Sequence, residues 1–182
     1  YVDQVLPRLL RHLSSTSRVL EIGPGSGGFT LQLAPAVQEI VAVEPAPRMQ
    51  EVLTRNLAEA GITNVHMVPR RVEEALEELD GDFDLALASH SLYNVTSIDA
   101  VLRGLVCLAH HVVFLIGTGE QRAWYQDLHR RFKGKERIAS PHFEHLYPLL
   151  LAMGIFADVD IVWTSANYVY DSQQDMVDWW LG

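Results

Sequence analysis

Short apolar runs alternate along the chain with stretches whose apolar residues recur every three or four positions. Arg18 to Ile22 predicts a first strand, Phe29 to Ala34 the start of a helix, and Glu39 to Val43, carried by Ile40, Val41 and Val43, a second strand. Pro47 opens a helix where proline costs no hydrogen bond, and Met49, Val52, Leu53, Leu57 and Ala60 mark one face up to a stop at Gly61. Asn64 to Val68 predicts a third strand. Val72, Ala75, Leu76 and Leu79 fall at i, i+3, i+4, i+7 and predict the next helix, followed by a fourth strand over Asp82 to Ser89. Ile98, Val101, Leu102 and Leu105 predict another helix, and the continuous run Val112 to Ile116, preceded by His110 and His111, suits a strand buried on both faces. This β–α alternation predicts an α/β fold, a doubly wound, mainly parallel sheet with helices on both faces.

The rhythm breaks from Gly117 to Pro141. Six of the 14 lysines and arginines lie there (Arg122, Arg130, Arg131, Lys133, Lys135, Arg137), with Trp124 and Tyr125, so residues of about 118–141 read as a basic insert or lid. Beyond it, Phe143, Leu146, Leu150 and Met153 predict a helix ended by Gly154, and Val159, Ile161 and Trp163 alternate as a sixth strand. Ser172 with Asp175 forms a helix N-cap signal before Met176, Trp179 and Trp180. The two tryptophans suit either the core or a subunit contact, which keeps a homodimer among the expectations. At 182 residues the whole chain, 1–182, fits one domain. Tyr1 and Gly182 carry no boundary signal, so flanking segments missing at either end are compatible with it.

Composition narrows the classes. With 48% hydrophobic and 20% charged residues the chain is an ordinary globular one. A net charge of −9 disfavours binding to a nucleic-acid backbone. Apolar runs such as His111 to Ile116 are too short to span a bilayer, and the first residues show no signal-peptide pattern, so no membrane association and a cytoplasmic location are expected. The one cysteine, Cys107, sits in an apolar stretch and reads as a small buried hydrophobe; neither a disulfide nor a metal framework follows.

The chemistry concentrates after the first strand. In Glu21-Ile22-Gly23-Pro24-Gly25-Ser26-Gly27-Gly28 the glycines let backbone approach a ligand closely, and the following helix N-terminus adds unpaired N–H donors. Gly23, Gly25 and Gly28 also satisfy the dinucleotide pattern G-x-G-x-x-G. Glu44, nineteen residues beyond Gly25 at the end of the second strand, can accept hydrogen bonds from both ribose hydroxyls of either cofactor class. Glu21 discriminates, because a carboxylate there repels a pyrophosphate and suits the ammonium of a methionine moiety, directly or through water.

On these residues Val19 to Thr30 resembles motif I of the class I S-adenosylmethionine-dependent methyltransferases, a Rossmann-like family. Val41 to Met49 resembles the segment that follows it, and Asp84 to Tyr93 the fourth-strand motif facing the transferred methyl group. The later features look like a bacterial small-molecule branch. The resemblance implies S-adenosylmethionine as cofactor, S-adenosylhomocysteine as product, no metal, and a small-molecule acceptor. It places Glu21, Gly23, Pro24, Gly25 and Gly27 at the methionine end, Glu44 on the ribose, and Pro45 and Met49 against the adenine. Arg71, Val72 and Ser89 complete the implied cofactor set. The family often has an acidic residue after the third strand, where this chain has Pro69-Arg70-Arg71-Val72-Glu73; an arginine cannot accept the adenine amino hydrogen bond, which leaves a backbone carbonyl or Glu73.

In-line methyl transfer needs an aligned nucleophile and, for some acceptors, a base. His90, just past the fourth strand, is the candidate base, with Tyr93 beside it. His110 and His111, as neighbours on an extended chain, point to opposite faces and are expected at an edge or in solvent; His142 and His145 share a helix face but lack a third metal ligand. The basic insert can hold an acidic acceptor or serve as a solvated loop. An RNA adenine dimethyltransferase is the nearest rival, from Glu21-Ile22-Gly23-Pro24-Gly25, but Ser89-His90-Ser91-Leu92-Tyr93 has no proline turn. A nicotinamide oxidoreductase and a non-catalytic S-adenosylmethionine-binding module are also compatible with the glycine loop.

Overall fold

The structure, a computed structural model, describes residues 1–118, 130–131, 134, 142–163, 171–175 and 177. Two compact units divide the chain, Tyr1–Ile116 and Gly117–Gly182, and the division falls where the β–α rhythm of the sequence ends.

In the first unit the elements run α1 (Val2–Leu10), β1 (Arg18–Ile22), α2 (Thr30–Leu33), β2 (Glu39–Val43), α3 (Pro47–Glu59), β3 (Val65–Val68), α4 (Val72–Glu78), β4 (Phe83–Ser89), α5 (Ile98–Leu108) and β5 (Ala109–Leu115). All strand pairs are parallel, in the order β3-β2-β1-β4-β5. Successive side chains along a strand face opposite ways, and both faces are covered. Leu20, Ile22, Val41, Val43, Ala86 and Ala88 pack with Val72 and Ala75 of α4 and Val101 and Leu105 of α5. On the opposite face Ala42 meets Leu53 and Leu57 of α3. The predicted doubly wound sheet is therefore present. The chain reverses direction across the sheet between β1 and β4, which opens a crevice beyond the carboxyl ends of those strands.

At the amino end of β1, Arg18 ties the sheet together. Its N–H donates to Asp84 Oδ2 at 2.8 Å, its guanidinium pairs with Glu39, and the same group lies 4.7 Å over the Phe83 ring. α1, which carries Pro7 within it, was not among the predicted elements. Its signal is the spacing of Val2, Val5 and Leu9, of which Val5 and Leu9 are buried.

Three expectations in this unit are corrected. β5, expected to be buried on both faces, is an edge strand of this sheet, and Val112 to Leu115 are only half-buried. His110 and His111 do not precede β5 but lie within it, since the ladder to β4 begins at Phe83↔Ala109. They do diverge: His110 Nε2 is 2.9 Å from Asp82, whereas His111 stacks on His12 with ring centroids 4.3 Å apart. Cys107 is exposed, not buried. α5 turns Val101, Leu102 and Leu105 inward, and a residue two places after Leu105 is about 200° round the helix.

In the second unit α6 (Phe143–Ala152) buries Leu146 and Leu150. At its start the His142 N–H donates to His145 Nδ1 at 3.3 Å, a capping contact. The predicted sixth strand is absent: residues 155–163 form no regular element, and Phe156, Val159, Ile161 and Trp163 are all exposed. Alternation becomes a strand only when a neighbour supplies ladder hydrogen bonds, and none of the described residues does so here. Asp175 N–H donates to Ser172 Oγ at 3.1 Å, as the cap signal predicts. Nearly all of the basic stretch, with Trp124 and Tyr125, lies outside the described residues, as do Met176, Trp179 and Trp180. Among the described residues no helix is long and apolar enough to cross a membrane, and no group of three or more His, Cys, Asp or Glu is placed to hold a metal ion.

Candidate functional site at the switch point

The glycine loop leaves β1 at the crevice. Gly23 N–H donates to Val43 O at 2.8 Å, and Gly27 N–H closes the turn on Pro24 O at 3.0 Å, with Pro24 buried. Gly23 has φ +64°, and a Cβ on it would stand 2.4 Å from the Ser91 Cβ, so the loop after β4 rests directly on this backbone. Gly25 has φ +58° and nothing within 4 Å of a Cβ position. It faces open space. Ser91 Oγ, buried beside Gly23, has no hydrogen-bond partner among the described residues.

Two carboxylates stand at the carboxyl ends of β1 and β2, Glu21 within β1 and Glu44 directly after β2. Glu44 is buried, its Oε2 accepting from Gly25 N–H at 3.2 Å and its Oε1 from Ala46 N–H at 2.9 Å. Each oxygen keeps further acceptor capacity for a ligand hydroxyl. Glu21, at 2% exposure, takes a 2.7 Å hydrogen bond from Thr30 Oγ1 at the start of α2. Burial pushes its carboxyl up to about 7, against the opposing pull of the Thr30 hydroxyl. Pro45 is exposed, and Met49 is half-buried in the first turn of α3.

On the other side of the crevice, His90 holds φ +52°, a left-handed conformation rare for a residue with a side chain. Its N–H donates to Leu115 O at 2.9 Å, and its Nδ1 is 2.8 Å from the Tyr93 hydroxyl. The two predicted catalytic residues are thus hydrogen-bonded to each other. Two neighbours, Tyr1 and Phe29, carry no such signal in the sequence. The Tyr1 hydroxyl is 3.3 Å from Ser89 Oγ, and the Tyr1 ring lies 5.6 Å from the His90 ring and 5.8 Å, edge-on, from Phe29. Burial pushes the Tyr1 phenol up, partly offset by Ser89. Tyr1 arrives through α1, so the spacing of Val2, Val5 and Leu9 was the signal that could have found it.

Arg71 and Val72 are placed differently from each other. Val72 belongs to the core under the sheet, at 6% exposure. The Arg71 guanidinium turns to the loop after β4, donating to Asn94 O at 2.9 Å and to Glu73 Oε1 at 3.2 Å. Glu73 Oε1 also accepts from Thr96 N–H at 2.9 Å. Burial acts to raise the Glu73 carboxyl, but the Thr96 N–H, the backbone N–H of Glu73 and Arg71 together hold it below its ordinary value.

The family model described as a methyltransferase domain matches residues 19–111. Ribosomal RNA small subunit methyltransferase A of Thermobifida fusca is 30% identical over 133 aligned residues, covering 62% of this chain and 46% of that protein. The uncharacterized methyltransferase YcgJ of Bacillus subtilis is 30% identical over 86 residues, covering 47% of this chain and 34% of its own length. The crystal structure of YcgJ superposes with a TM-score of 0.61 at 21% identity over 82% of this chain and 67% of that one, a likeness of fold. The chain spans less than half the length of these curated relatives.

Proposed function

Since the chain belongs to the methyltransferase-domain family and has the class I fold, we propose that it transfers the methyl group of S-adenosylmethionine to a small-molecule acceptor by in-line displacement. The observation that carries this reading is the open space over Gly25 with the Glu44 carboxylate hydrogen-bonded at its side. The residues fit the cofactor: a Cβ at Gly25 would occupy that space, and beside Gly23, Ser91 Oγ is a buried hydroxyl with no hydrogen-bond partner among the described residues. Glu44 holds the ribose hydroxyls. Glu21 and the backbone of Gly23, Pro24, Gly25 and Gly27 face the methionine end, while Pro45 and Met49 wall the adenine. Arg71, Val72 and Ser89 complete the proposed cofactor set.

When bound, the cofactor supplies a sulfonium carbon as electrophile. The chain's own part is alignment and proton handling. His90 serves as the base for the acceptor's proton, its ring oriented by the Tyr93 hydroxyl 2.8 Å from Nδ1. Tyr1 and Phe29 exclude water on the acceptor side.

Calorimetry with S-adenosylmethionine, S-adenosylhomocysteine and NAD is the test. Micromolar binding of the first two is expected, and binding of NAD alone would overturn the reading. Glu44→Ala is expected to weaken S-adenosylmethionine by about 1.5–3 kcal/mol, the range for hydrogen bonds to a charged group. Unchanged affinity in the folded variant contradicts the ribose role.

A second reading, methyl transfer to RNA adenine, is favoured by the relatives described as ribosomal RNA small subunit methyltransferases and dimethyladenosine transferases. Against it stand the net charge of −9 and the lack of a proline turn after β4. Methylation of bulk RNA, with none across a panel of amines, phenols and carboxylates, decides for this second reading.

A further inference from the structure

The segment 90–97 crosses the carboxyl edge of the sheet. It leaves β4, rests Ser91 on Gly23 at the end of β1, and reaches the start of α4, where Asn94 and Thr96 meet Arg71 and Glu73. Only backbone atoms of the segment are engaged at that far end, the carbonyl of Asn94 and the N–H of Thr96. The two side chains that hold them are also joined to each other. The segment carries Tyr93, and through Tyr93 it holds the imidazole of His90.

We propose that Arg71 and Glu73 are positioning residues that strap the 94–96 backbone to the start of α4, coupling the cofactor crevice to the His90–Tyr93 pair. This rests on the methyltransferase reading for what fills the crevice. The geometry supports a strap over an adenine contact for three reasons. Arg71 Nη2 and Glu73 Oε1 each bond a backbone atom of the loop. The Glu73 oxygen that accepts from Thr96 is the one that also takes the Arg71 guanidinium. The carboxyl is held below its ordinary value by those same donors, so it stays ionised and keeps both bonds near neutral pH. An arginine where related enzymes often place an acid thereby gains a reason: it anchors a carbonyl, which an acid cannot do.

A segment anchored at β4, at Gly23 and at α4 cannot move at one contact without shifting the others. Occupancy of the space over Gly25 should therefore be felt at Thr96, and by reciprocity the strap should be felt in the order of Tyr93 and His90.

Amide hydrogen exchange of residues 90–97, with and without S-adenosylhomocysteine, tests this in the whole chain. In the unmodified protein the ligand is expected to slow exchange at Tyr93 to Ser97 by about fivefold or more. Glu73→Gln, which keeps the shape and removes the charge, is expected to speed exchange in the free protein about tenfold and to reduce the ligand response below about twofold. Its calorimetric affinity for S-adenosylhomocysteine should stay within about threefold, because neither side chain touches the ligand. The His90 imidazole resonances should broaden in the same variant, which a purely structural role at α4 does not produce. Arg71→Lys, which preserves charge but not the fork, is the second variant and should give a smaller change of the same sign.

Unchanged exchange at 94–97 in Glu73→Gln overturns the strap. So does a loss of S-adenosylhomocysteine affinity beyond about tenfold with the loop undisturbed, which makes Glu73 a ligand contact instead. Failure of the unmodified protein to bind S-adenosylhomocysteine sinks the methyltransferase reading, and the exchange rates of the free variants still decide the strap.

Discussion

Gly25→Ala is expected to abolish S-adenosylmethionine binding while lowering stability by only about 1–2 kcal/mol, whereas Gly23→Ala is expected to lose both binding and several kcal/mol of stability, about 3 or more. The two glycines lie two residues apart with nearly equal backbone angles, φ +64° and +58°, so the left-handed penalty of a Cβ is the same for each. Their surroundings differ. At Gly23 the new methyl meets the Ser91 Cβ at 2.4 Å, too close for any side-chain rotation to relieve, and the loop that carries Tyr93 must move. At Gly25 the methyl meets no described residue and takes only open space, which the proposed function gives to the cofactor. Urea unfolding gives the stability arm and calorimetry the binding arm. A Gly25→Ala protein that still binds S-adenosylmethionine within about twofold removes the cofactor from that space.

The glycine pair also shows what was readable beforehand. Gly23, Gly25, Glu21 and Glu44 are local to two strand ends, and a parallel sheet fixes where strand ends lie, so hydrophobic periodicity was enough to bring them to one edge of the sheet. His90 and Tyr93 were readable for the same reason, as residues following β4. Contacts across long stretches of chain were not. Tyr1 reaches Ser89 from the start of α1, a helix that was not among the predicted elements. Arg71 looked like a poor substitute for an acid because its partners, the carbonyl of Asn94 and the carboxylate of Glu73, include a backbone atom with no sequence signature. The predicted strand at Val159 to Trp163 failed in the opposite direction: the local pattern was present, and the pairing neighbour that makes such a pattern a strand was not among the described residues. Cys107 shows how little hydrophobic company says about burial when the helical face is known only approximately.

Glu21→Gln is expected to flatten the pH dependence of stability and to weaken S-adenosylmethionine, two effects with one cause. In the native protein burial raises the Glu21 carboxyl from its ordinary 4.5 to about 7, so the folded state binds this proton more tightly than the unfolded state does. Stability attributable to this group is then fully present below about 4.5, declines as pH rises, and is lost above about 7. Between pH 5 and pH 8 that difference amounts to about 2.5 kcal/mol, which the glutamine variant should not show. Urea unfolding of both proteins at those two values measures it; parallel curves for the two would exclude a strained buried carboxylate. Binding runs the other way. A cationic ammonium near Glu21 favours the ionised carboxylate, so S-adenosylmethionine affinity should rise with pH up to about 7 and level off, with proton release detectable in buffers of different ionisation enthalpy. In Glu21→Gln the proton release should vanish and the affinity should fall at pH 8 far more than at pH 5. The carboxylate that destabilises the empty fold is thereby the group whose charge the bound cofactor answers.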